Sequence, residues 1–248
     1  MALLIPRYAD EEIDPRRRAL LIAALRAGLL GTAVAPLIGE RADAGILGKA
    51  PGKLPAGRSI YSVAGPTTVN GVAADLGTAI KPGDTVETGP GGRIIFVVDD
   101  NAHILRENSR IELAGAIDTA AALRIFTGVL LSVFGRRKRR LVTAAATIGI
   151  RGTGVYIESD PEESYICTCY GTADLIPYES TEVEETVVSE HHDAPRYAVR
   201  GETSGKRIRK APFKNHTDLE IALIEGLVGR TPPFAFTLEQ FDSPFNSY

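Results

Sequence analysis

With 248 residues, 44% of them hydrophobic, the chain can bury an ordinary core as one domain with appendages or as two small domains. Its formal net charge of −3 argues against a dedicated binder of nucleic acid or of acidic membranes. Twenty-five glycines and 15 prolines beside only eight tyrosines and eight phenylalanines suit a turn-rich β protein.

The N-terminal residues 1–47 read as a tail followed by an export signal or anchor. Asp14 and Pro15 supply an N-cap and a first-turn proline. Arg16, Arg17 and Arg18 then precede an apolar run over residues 19–38 that only Arg26 interrupts. A basic cluster before an apolar stretch is an export pattern, and Arg17-Arg18-Ala19-Leu20-Leu21 looks like a twin-arginine signal. The run is also long enough to span a bilayer as an uncleaved anchor, so membrane association is expected through 19–38. Arg26 would cost on the order of 3 kcal/mol in a true span, which favours a transient signal. The small-residue site Ala33-Val34-Ala35 is followed by Pro36, and no lipid-attachment cysteine follows. An ordinary amphipathic core helix is the other reading of this stretch. The expected location is periplasmic, exported or anchored in the inner membrane.

Residues 48–59, rich in Gly, Pro and Lys, read as a linker, and residues 60–200 as the β region. Its strand-sized segments include Arg93–Val98, and the turn-forming Asp99-Asp100-Asn101 leads to His103, expected to be a partly exposed sheet residue. Gly89-Pro90-Gly91-Gly92 precedes a strand rather than a helix and is a turn. Arg136, Arg137, Lys138, Arg139 and Arg140 separate the apolar strands Val129–Phe134 and Leu141–Ile150. Five like charges read as an exposed hairpin turn or as a patch for anionic headgroups, a small anion or a partner. In the stretch Ala144–Glu158, Ile148 and Ile150 share one strand face, as do Val155 and Ile157. The switch from even to odd positions requires one extra residue between them, which Gly152 and Gly154 can absorb as a bulge. Arg151 is expected to hold this corner through backbone carbonyls.

The order and spacing of Val69-Asn70-Gly71, Leu76–Gly89, Arg93–Val98, Arg106–Leu113, Thr127-Gly128-Val129-Leu130 and the corner Gly149, Arg151, Gly152, Thr153, Gly154 resemble the FecR domain family. The resemblance covers residues 60–160 and implies a mainly β fold, an antiparallel β-sandwich or short β-roll. It further implies an exported sensing or binding module, related to iron or envelope signalling and not an enzyme, with an envelope protein or small ligand as partner. In that family a cytoplasmic sigma-binding region precedes the membrane segment. Only residues 1–15 do so here, so direct sigma-factor control is not expected.

The two cysteines, Cys167 and Cys169, stand two apart on an expected strand, so both thiols face one side. Their Cα atoms would lie roughly 6.5–7 Å apart, at the edge of disulfide reach. Two thiolates so placed can share one soft ion. His191 and His192 follow before Asp193, and as neighbours only one can join the cysteines on a given face; His216 is a further candidate ligand. A transition-metal site (iron, zinc or copper, or a haem-type centre), a redox pair, buried structural thiols and a catalytic thiol all remain open. A C-x-C motif is not a usual feature of the FecR family. No phosphate loop, nucleophile elbow or H-E-x-x-H pair is present. Residues 201–232 hold a loop and one helix, with Thr217 and Glu220 as a capping box, Gly229 at its end and Pro232-Pro233 as the stop. Residues 233–248 form an aromatic-rich tail.

Overall fold

The computed structural model describes residues 52–115, 121–201 and 205–234, so the expected signal or anchor and most of the tail lie outside the described residues. The chain forms β1 (Ile60–Ala64), β2 (Thr67–Val69), β3 (Val72–Ala73), β4 (Thr85–Thr88), β5 (Arg93–Val98), β6 (Asn101–Leu105) and β7 (Arg110–Leu113). It continues through β8 (Ala121–Val133), β9 (Lys138–Val142), β10 (Ala146–Ser159), β11 (Glu163–Pro177), β12 (Glu185–Ser189), β13 (Arg196–Val199) and β14 (Ile208–Lys210). The helix α1 (Asp218–Leu227) follows. All fourteen strands belong to one sheet. The mainly β fold with a single C-terminal helix is thus as the residue pattern predicts. No helix among the described residues is long and apolar enough to cross a membrane.

Three long strands bend at glycines, and those bends fold the sheet over. β8 turns at Gly128 (φ +93°), β10 at Gly152 (φ +59°) and β11 at Gly171 (φ +92°). At these φ values a side chain would be strained. The register between β10 and β11 slips between Arg151 and Val155, which is the extra residue the change of parity requires. Arg151 does not tie the corner as expected. Its side chain is exposed, and Thr153 does the work instead: its Oγ1 accepts from the Arg151 N–H at 3.2 Å and donates to the Thr172 carbonyl at 3.0 Å.

The second half of β8 and β9 lie along the same edge of β10, antiparallel to it, on either side of a bend at residues 134–137. The hairpin turn itself falls at Thr143–Ala145, where Thr143 Oγ1 accepts from the Ala145 and Ala146 N–H groups. The path then coils so far that β9 pairs in parallel with the beginning of β8, Leu141 opposite Leu123.

Two apolar clusters result. Ile94, Phe96, Leu105, Ile111, Leu130, Ile148, Ile157 and Leu175 belong to the first, enclosed by the folded sheet. Ile95, Ile104, Leu131, Tyr156, Tyr165, Cys167 and Cys169 belong to the second, against which α1 lays Ile221, Ile224 and Leu227. Each such aliphatic side chain contributes about 1.5–3 kcal/mol on burial. β5 and β6 therefore carry apolar residues on both faces. His103, within β6, is 2% exposed rather than partly open, and burial lowers its pKa to about 3. Its Nδ1 lies 2.8 Å from Ser132 Oγ, so the neutral ring is satisfied. The predicted capping box on α1 is present, Thr217 accepting from the Glu220 N–H and Glu220 from the Thr217 N–H. Ahead of β1, the Leu54 N–H donates to the Leu227 carbonyl at 2.9 Å, docking that end of the expected linker on the helix.

Candidate metal centre

β11 presents Cys167 and Cys169 to the second cluster while Ile166 faces the first, the alternation of a strand. Both sulfurs are free thiols with 0% exposure. The turn after β12 supplies one histidine. Asp193 Oδ2 accepts from the N–H groups of Glu190 and His191 at 2.8 and 3.2 Å, and this local bonding organises the turn. His192 occupies the left-handed region (φ +56°), and its N–H donates to the Cys169 carbonyl at 2.9 Å. That geometry separates the adjacent rings: His192 enters the site and His191 points toward a neighbouring cleft.

The approach to α1 supplies the other histidine. Glu158 accepts from Lys214 Nζ and from Asn215 Nδ2, each at 2.7 Å, and Asn215 sits at φ +63°. His216 then stacks on Tyr156, ring centroids 4.3 Å apart and 13° from parallel. Thr217 starts the helix immediately afterwards.

Four potential donor atoms meet here, on Cys167, Cys169, His192 and His216, all within 4.8 Å of one another. Cys167 Sγ lies 3.6 Å from His192 Nδ1, Cys169 Sγ 3.4 Å from His216 Nε2, and the two ring nitrogens are 3.0 Å apart. A tetrahedral ion with the usual zinc bond lengths would place sulfur and nitrogen ligands about 3.6 Å apart and two nitrogens about 3.4 Å apart. The sulfur–nitrogen separations leave room for one ion. A two-iron cluster would carry the cysteine and histidine pairs on different irons and hold them farther apart.

The outer hydrogen bonds select the tautomers such a site needs. His216 Nδ1–H donates to the Lys214 carbonyl at 2.8 Å, which leaves Nε2 with its lone pair toward the centre. His192 Nε2–H donates to Asp218 Oδ1 at 3.0 Å, which leaves Nδ1 inward. Two lone pairs facing each other at 3.0 Å repel unless a proton or a cation lies between them. Without metal, a proton serves. Burial opposes charge on His192, but Asp218 and then the Cys167 sulfur overcome it and raise the imidazole to about 9. The Cys169 thiol, donating to Cys167, lowers the latter to about 4 against the effect of burial, with His192 and His216 assisting. Cys169 itself is pushed up, first by burial and then by the Cys167 sulfur. A divalent cation would displace the protons of Cys169 and His192 and leave the site neutral again.

Of the five predicted metal-site residues, four converge and His191 does not. Its Nε2 lies 2.9 and 3.0 Å from the two Asp218 oxygens, outside the tetrad, so that His191, His192 and Asp218 form a second, outer group. Asp218, the Lys214 carbonyl and the Tyr156 ring were not among the sequence candidates. An acidic residue in the first turn of a capped helix is the one signal Asp218 offers, and helix stability alone accounts for it.

His191 also lines a cleft of about 600 Å³, together with Tyr170, Glu225, Arg230, Phe234 and Arg136. Cys167 and Cys169 do not line it. Tyr170 donates to Glu225, which also accepts from Arg230 Nε at 2.6 Å. Gly152, Thr153 and Gly154 form the β10 corner, with Arg151 exposed beside them and Gly149 in the regular ladder before it. Arg136 and Arg137 occupy the bend after β8, while Lys138, Arg139 and Arg140 lie in β9.

No family model matches the chain, and no curated protein does. Among solved structures, two from Parabacteroides distasonis, each of a candidate anti-sigma factor, align with 51% of this chain and 58% of their own, at 12% identity. Their TM-scores are 0.42 and 0.41. The chain thus aligns with little more than half the length of those chains.

Proposed function

We propose that this chain is an exported, non-enzymatic sensing or binding module whose β domain is completed by one structural metal ion, zinc, bound by Cys167, Cys169, His192 and His216. The observation that carries the reading is the convergence of two sulfurs and two ring nitrogens within 4.8 Å of one another, with both histidines oriented by outer acceptors. Four protein ligands close the coordination sphere, and closed Cys₂His₂ sites are structural rather than catalytic. The ligands also come from three segments, β11, the turn after β12 and the approach to α1. One ion would therefore staple the turn and the helix to the sheet. Thiolate and imidazole also suit iron or copper, but a closed tetrahedral set of this composition favours zinc. The FecR-like pattern over residues 60–160 supports the sensing role and an envelope protein as partner.

A row running Cys167, His192, Asp218 has the order of a nucleophilic triad. Against that reading, the sulfur has no exposed surface and does not line the cleft. The test is elemental analysis of the full chain purified without chelator or affinity histidines. The expected result is about one zinc per chain, lost in Cys169→Ser and His216→Ala. Cobalt exchanged into the wild type should give the visible spectrum of a tetrahedral thiolate site. A wild type that binds neither zinc nor cobalt, or a Cys169→Ser variant that binds them undiminished, sinks the proposal.

A further inference from the structure

We infer that the exposed corner formed by Arg136, Arg137, Lys138 and Arg151 is a contact surface for an anionic lipid bilayer. Several cations elsewhere among the described residues are paired: Arg106 with Glu220, Arg110 with Glu87, Arg196 with Glu185, Arg209 with Glu163 and Lys214 with Glu158. The four corner residues are exposed, and none forms an ion pair with a described residue. Lys138 stands directly opposite Arg151 in the β9–β10 ladder, a like-charge pair that disfavours the sheet unless an outside anion answers it. The net charge of −3 conceals this segregation.

The display is rigid. Across the bend, the Phe134 N–H donates to the Thr153 carbonyl and the Gly152 N–H to the Gly135 carbonyl, each at 3.1 Å. The acids nearby do not neutralise it. Asp100 packs against Gly135, Glu190 lines the same cleft as Arg136 without an ion pair to it, and Asp174 accepts from Thr186 at 2.6 Å.

The form of the patch selects its occupant. A small anion needs buried donors converging on one point, whereas these cations are exposed and spread over a bend and two strands. A protein interface needs an apolar or aromatic centre. Among the described residues the exposed large hydrophobics are Tyr61, Val72, Leu76, Phe126, Val183 and Val188; of these Val188 stands two strands from Arg151 in the same cross-strand row, and a single valine does not make an apolar centre. A planar array of phosphates needs only exposed charge on long side chains. The apolar run at residues 19–38 would hold the domain near such a surface.

The test is sedimentation of the full chain with vesicles of phosphatidylcholine, alone or mixed with phosphatidylglycerol, at low and at high salt. Partitioning of the apolar run contributes to both lipids alike, and Arg16, Arg17 and Arg18 add an anionic preference of their own, so the patch is read from the change that its variants make in that preference. The wild type should prefer the anionic vesicles and lose that preference in high salt. An R136Q/R137Q/K138Q variant should bind them roughly a hundred-fold more weakly, about five-fold for each cation removed, with metal content unchanged. The single Arg137→Gln variant, about five-fold weaker, serves if the triple variant fails to fold. Equal binding to both lipids, undiminished binding by the variants, or tighter binding to an acidic peptide or to duplex DNA than to the anionic vesicles would overturn the inference.

Discussion

Asp218 accepts from His191 and His192 at once while standing in the first turn of α1, so one carboxylate serves a candidate metal ligand, a cleft residue and a helix N-terminus. Its pKa is lowered: burial alone would raise it, and the hydrogen bonds from His192 and then His191 outweigh that. An Asp218→Asn variant keeps the shape but removes the charge that makes His192 a stronger donor to a cation. Zinc affinity should then fall about 10- to 100-fold, measured by competition with a chromophoric chelator. An unchanged affinity would mean that the carboxylate only packs. At this scale the chain is partly readable in advance. Two cysteines at period 2 must share a strand face whatever surrounds them. Which of two adjacent histidines turns inward depends on the left-handed backbone at His192 and on its bond to the Cys169 carbonyl, both tertiary facts. His103 misleads for a similar reason, because β6 is covered on both faces and no local pattern announces it.

Bending decides what each long strand can do. At Gly128 a Cβ would come within 2.5 Å of the Ser109 Cα, at a φ of +93°. Clash and strain add there, and Gly128→Ala should cost about 3 kcal/mol or more. Gly149, four residues before the corner residue Thr153, has ordinary strand space: its nearest neighbour would be the Asp174 Cβ at 3.5 Å. Gly149→Ala should change stability by less than about 1 kcal/mol in either direction. Urea unfolding of both variants checks the pair, and equal effects would remove the distinction between corner and strand glycines. The corner in β10 was visible because apolar positions change parity across it. The bends at Gly128 and Gly171 leave no such mark, and β9 reads as part of a simple hairpin until its parallel ladder with β8 is seen.

For the molecule as a whole, the two clusters imply two levels of stability. The first is closed by strands alone. The second depends on α1, and three of the segments around it meet at the candidate metal ligands. Removing the proposed ion should expose the amides of α1 and of residues 190–193 to hydrogen exchange, while β5 and the first half of β10 stay protected. Uniform loss of protection would instead show a single cooperative unit. This division was not legible beforehand. Capping and apolar spacing announce the helix, but nothing in them says which face of the sheet it covers or that a histidine just ahead of its cap completes a site on β11.

The stacking of Tyr156 on His216 has a practical consequence. The chain contains no tryptophan, so its near-ultraviolet emission comes from eight tyrosines. One of them lies face to face with a candidate ligand ring, and Tyr165 lies edge-on to Tyr156 at 6.0 Å. Occupancy of the centre can therefore be followed in the unlabelled protein, with its own phenol rings as the indicator.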